Sequence, residues 1–159
     1  MKNLISSPIG LIHTITAILA VISGTIVVLN KKGTFFHKAV GRVYVILMLL
    51  LNITAFGIYR LFSGFGIFHA FALLSLFSII GGMYPVLNRT KVKNWYAHHL
   101  ETMSWSVVGL YAALAAEISV RFFSSQYFFW ITALSGGIVT TVGSIIIKKM
   151  KKKAVLGQL

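Results

Sequence analysis

PIGLIHTITAILAVISGTIVVL, residues Pro8–Leu29, runs for 22 positions without a single charge. A helix of that length rises about 33 Å, enough to cross a hydrocarbon layer of about 30 Å. The stretch therefore reads as a membrane span rather than a core helix. Four more stretches follow the same rule, each bounded by polar or charged breaks: Val40–Phe62, Gly66–Leu87, Met103–Val120 and Phe128–Ile147. The fourth lies within a helix over 98–121. The expectation is an all-α integral membrane protein, a five-transmembrane-helix bundle.

Composition agrees. The chain has 159 residues, of which 57% are hydrophobic and 11% charged. Soluble domains carry about 25% charged residues. The five spans leave no room for a soluble domain, so 1–159 reads as a single transmembrane helical domain with a basic tail over 148–159. One lysine, Lys2, precedes the first span. That span exceeds the apolar region of a signal peptide and lacks an A-x-A site, so it is expected to stay as a mature helix.

Several chemistries are excluded. There is no cysteine, hence no disulfide and no thiolate metal site. There is no aspartate, which removes Ser-His-Asp catalysis and most Ca²⁺ or Mg²⁺ sites. Neither a phosphate-binding loop, nor a dinucleotide fingerprint, nor an H-E-x-x-H zinc motif occurs.

The formal charge of +13 is unevenly placed. Lys31, Lys32, Lys38 and Arg42 cluster at the first connection, Arg89, Lys91 and Lys93 at the third, and Lys148, Lys149, Lys151, Lys152 and Lys153 in the tail. Only Lys2, Arg60 and Arg121 fall on the other side. The positive-inside rule then puts the N-terminus outside and the C-terminus in the cytoplasm. This charge reads as a topology anchor on anionic headgroups, and not as a nucleic-acid surface.

Five histidines carry the remaining information. By helical rise His13 and His69 fall near the outer face, on helices one and three. His37, His98 and His99 fall near the inner face, at the starts of helices two and four. An ionisable residue within a span points to function. Paired neutral imidazoles across a bundle are how membrane proteins hold haem iron. His98 and His99 point about 100° apart, so one of them at most faces a shared ligand. His13, Ala17, Ala20 and Gly24 recur at helical spacing, as do His37, Gly41, Tyr44 and Met48. Helix four repeats the pattern in His99, Met103, Ser106, Leu110, Ala113 and Glu117. Such stripes leave space beside a histidine, and they are equally the packing surfaces of membrane helices.

Arg42, and on the outer side Arg60 and Arg121, could meet haem propionates by charge-assisted bonds or snorkel to headgroups. Glu101 and Glu117 are the only acids. Glu117 has Arg121 one turn on as a partner, and proton transfer is open to it. Glu101 is open to proton transfer, metal ligation or pairing with Lys91, Lys93 or Arg42. The glycine pairs Gly81-Gly82 and Gly136-Gly137 interrupt helices three and five and could permit tight packing or a kink, with packing the default.

The stretch Gly33-Thr-Phe-Phe-His37-Lys-Ala-Val-Gly41-Arg42-Val-Tyr44 resembles the "HR-x-x-G-R-x-Y" opening of the second helix in the bacterial membrane family called domain of unknown function 2306. His99-Leu-Glu-Thr-Met103 is similar to its later "H-R-R-W-M" segment, although Leu100, Glu101 and Thr102 replace the basic pair and the tryptophan. The resemblance covers roughly residues 10 to 122. It implies His37 and His99 as the family's histidine positions, with Gly41, Arg42 and Met103 beside them, and it favours His99 over His98. It implies no activity.

Three functional readings follow. The first is a membrane electron-transfer protein, similar in architecture to cytochrome b561-type diheme bundles with a fifth helix added. It would bind one or two haem b groups by His13 with His69 and His37 with His99, and would be linked to quinol or a reductase. The second is a divalent-cation (zinc, for example) or proton transporter using the same histidines. The third is a small accessory or assembly subunit without cofactor.

Overall fold

The computed structural model describes residues 7–58, 64–123 and 125–155. Five α-helices account for nearly all of them: α1 Pro8–Leu29, α2 Phe35–Ala55, α3 Ile67–Leu87, α4 Trp95–Phe122 and α5 Phe128–Val155, with a 3-10 turn at Ser125–Tyr127 before α5. All five are long and apolar enough to cross a membrane. There is no strand among the described residues. Lys2 and Arg60, read above as outer-side charges, lie outside them, as does the end of the second stretch, residues 59–62.

Local chemistry sets the helix ends. Ser7 caps α1 by accepting from the Gly10 N–H at 3.2 Å, and Pro8 takes the first position, where a missing donor does no harm. At the other end the Asn30 side chain donates to the Ile26 carbonyl at 2.7 Å. The Lys32 amine donates to the carbonyls of Val27, Val28 and Asn30. Gly33 turns the chain at φ 77°, a region glycine enters without strain.

Thr34 then caps α2 by accepting from the His37 N–H at 3.1 Å. This cap starts the helix at Phe35, five residues before Val40. The hydropathy reading marked where apolar residues begin, and the backbone turns earlier, where a threonine can serve the first free donors. His37 is therefore inside the helix. In the same way α4 starts at Trp95, after Asn94 in the left-handed region at φ 56°. The lysine tail is not loose at its start, since α5 continues through it to Val155.

The chain divides into two compact units, Met1–Ile79 and Ile80–Leu159, with the division inside α3. In the first unit α1 packs antiparallel on α2. Ala20, Ser23, Gly24 and Thr16 are buried on α1, and Tyr44, Met48, Leu51 and Asn52 on α2. Small residues on α1 let the backbones approach. Thr16 and Ser23 donate their hydroxyls to their own helix, to the Ile12 and Leu19 carbonyls, so these two polar groups are satisfied within α1. Asn52 reaches α3 through Ser75 Oγ at 3.1 Å. In the second unit α4 packs on α5. Gly143 meets Val108 there: an added Cβ would lie 2.5 Å from the valine methyls. Within the second unit Gly136 and Gly137 have open space around them, and the close approach of α5 to α4 falls at Gly143 instead.

Candidate functional site

The imidazoles are best described by which nitrogen each one uses. His13, one to two turns into α1, is half-buried and meets Thr54 of α2 through Nδ1 at 3.0 Å. The Thr54 hydroxyl spends its proton on the backbone, within 2.9 Å of the Leu50 and Leu51 carbonyls. Its oxygen can only accept from His13. Nδ1 therefore carries the proton, and Nε2 is the lone-pair nitrogen in the neutral ring.

His99 follows the same pattern in the second unit. Its Nδ1 lies 2.9 Å from the Gly82 carbonyl oxygen, which can only accept. Nδ1 donates, and Nε2 again carries the lone pair. The sequence of α3 explains why a carbonyl is available there. Gly81 and Gly82 present no side chains, so the His99 ring can approach the α3 backbone closely enough to reach a carbonyl. Met103, one turn on from His99, packs against Gly82, where an added Cβ would meet the methionine sulfur at 2.5 Å. His98 is exposed, so His99 is the inward histidine of the pair, as the family motif favoured.

His69 differs. It stands at the third position of α3 and is 4% exposed. Its Nδ1 accepts the Gly66 N–H at 3.1 Å, while its own N–H donates to the Gly66 carbonyl at 3.0 Å. The first of these is one half of a capping box, with imidazole in the place of glutamate, and the second is a backbone turn bond where the box would use an N-cap side chain. The ring stacks on Phe65 at 5.2 Å and lies 6.1 Å from Phe56. A neutral imidazole that accepts at Nδ1 carries its proton on Nε2. To ligate iron through Nε2, His69 must first give up the Gly66 bond.

Thr54 and Phe56 are neighbours at the C-terminal end of α2, so His13 and His69 come to the same end of the first unit, as the depth argument expected. They arrive with opposite tautomers. His37 belongs to the first unit and His99 to the second. Arg42 is exposed on α2. Among the described residues no three His or Glu side chains converge on a common point.

Both acids are matched by cations. Glu117 pairs with Arg121 at 2.6 Å, as read from their spacing. Glu101 pairs with Lys151 of α5 at 2.7 Å, not with Lys91, Lys93 or Arg42. Fifty residues separate the two, and only the antiparallel α4–α5 register brings them level. Thr54, Gly66, Gly82 and Lys151 are the partners that sequence reasoning missed. Two of these contacts use backbone atoms, which have no residue-type signature.

The sequence matches, over residues 10–152, the family described as "Predicted membrane protein (DUF2306)". The chain belongs to that family. No curated protein matches it, and no solved structure does.

Proposed function

We propose that this DUF2306 protein is a membrane electron-transfer protein of b-type cytochrome character, with His99 in the second unit and His13 in the first as iron-ligating imidazoles at separate sites. The observation that carries the reading is the hydrogen bond from His99 Nδ1 to the Gly82 carbonyl. Metal-bound histidines generally donate their second nitrogen to a carbonyl or carboxylate, which fixes the ring and turns the Nε2 lone pair outward. His13 is held alike by Thr54. Haem iron ligated by imidazole supplies one-electron transfer, here between a quinol or reductase and an acceptor. The chain's part is to present neutral, oriented imidazoles in an apolar surrounding. Arg42 is the candidate for a propionate contact. The positive-inside rule supports an orientation with the basic helix ends cytoplasmic, and the proposed location is the bacterial cell membrane.

The test is the absorption spectrum of detergent-purified protein before and after dithionite. A Soret band that shifts on reduction supports the proposal, and His99→Ala and His13→Ala each diminish it. His69→Gln leaves it unchanged. A colourless protein overturns the proposal.

One observation favours a second reading. His69 accepts the Gly66 N–H as a helix cap, which supports a structural use of a buried histidine. On that reading the chain is an accessory or assembly subunit, and haem-free protein with normal stability is its signature.

A further inference from the structure

The second unit has a strongly cationic end. α5 holds 28 residues. Its apolar part, Phe128–Ile147, rises about 30 Å, the thickness of the hydrocarbon layer. The helix then continues through Lys148–Val155, about 12 Å further, which takes it through the headgroup layer. The lysines are thus displayed on a helix, at headgroup depth.

They are also sorted by face. At about 100° per residue, Lys148, Lys149, Lys152 and Lys153 fall within an arc of about 140°. All four are exposed. Lys151 points away from that stripe, toward α4, where Glu101 neutralises it at 2.7 Å. Glu101 is the only acid at this end, so the stripe keeps its full charge. The same end of the unit holds the turn between α3 and α4, with Arg89, Lys91 and Lys93 exposed. The Arg89 guanidinium lies 4.7 Å over the Trp95 ring. Trp95 and Tyr96 open α4 at this level, and such aromatic residues settle at membrane–water interfaces.

We propose that this end of the second unit is a binding surface for anionic phospholipid headgroups. Lys148, Lys149, Lys152 and Lys153 are the phosphate-binding cations. The Glu101–Lys151 pair sets the rotation of α5 that aims them at the lipid. A lipid phosphate is the occupant rather than a free anion, because the apolar helix below the stripe lies against acyl chains while the lysines reach the headgroups. The surface is separate from the haem proposal and stands or falls without it.

The experiment uses the full chain in mixed micelles of dioleoylphosphatidylglycerol and dioleoylphosphatidylcholine, with retained lipid read by native mass spectrometry. Wild-type protein retains phosphatidylglycerol saturably and does not retain phosphatidylcholine. Lys148→Gln with Lys149→Gln lowers the affinity about thirtyfold at low salt, the effect of two cations near a membrane surface. Lys148→Arg with Lys149→Arg keeps the affinity and shows that charge, not folding, was lost. Equal retention by the glutamine variant, equal loss in the arginine variant, or retention of both lipids overturns the proposal. Displacement of the lipid by equimolar inorganic phosphate also overturns it, by marking a free-anion site.

Discussion

Replacing His69 separates a helix cap from a metal ligand. His69→Ala removes the acceptor for the Gly66 N–H, worth about 1 kcal/mol as a cap. It also removes a buried ring that stacks on Phe65 and sits beside Phe56, worth about another 1 kcal/mol as aromatic contact. His69→Gln retains an acceptor oxygen at capping distance, as glutamine does in a capping box, and loses only the ring contact. The alanine variant should therefore be less stable than the glutamine variant by about 1 kcal/mol. At about 2–4 °C per kcal/mol the two thermal midpoints should differ by about 2–4 °C. Circular dichroism melting in one detergent measures this. Nitrogen-15 spectra of the histidine rings should show the His69 proton on Nε2, and those of His13 and His99 on Nδ1. Equal midpoints for the two variants, or a proton on Nδ1 of His69, would refute the capping argument and restore His69 as a candidate ligand.

Gly82→Ala should destabilise by about 1–3 kcal/mol, because the new methyl displaces Met103. Gly81→Ala should be tolerated, since its nearest neighbour would be Thr102 Cγ2 at an ordinary 3.6 Å; matched thermal melts compare the two. Lys151→Gln should lower stability by no more than about 1 kcal/mol, as its pair with Glu101 is about 40% exposed, and the difference should vanish in high salt. Burial holds the Lys32 amine below its ordinary 10.5. The unfolded chain therefore keeps that proton to higher pH than the folded one, and stability gains from this group as pH rises through the window just below 10.5. Melts of Lys32→Met across that window should lack the gain.

Much of this protein is written locally. The charge-free run Pro8–Leu29 marks the first span, and the helix keeps those bounds because Ser7 and Pro8 act locally at its start. The five spans follow from transfer energies that depend on composition and length alone. The Glu117–Arg121 pair follows from helical spacing. Helix starts at Phe35 and Trp95 were harder to read, because a cap and a left-handed asparagine decide them and hydropathy does not sense either.

Tertiary structure decided what each histidine does. Depth along a helix placed His13 and His69 at one end of a unit, and spacing alone could not tell them apart. A hydroxyl whose proton is already committed gives His13 one tautomer, and a backbone N–H gives His69 the other. A carbonyl on α3 orients His99, and the antiparallel register of α4 and α5 sends Lys151 to Glu101. Hydrogen bonds to backbone atoms and pairings across fifty residues depend on how helices pack, and packing geometry is not carried by residue type at any single position.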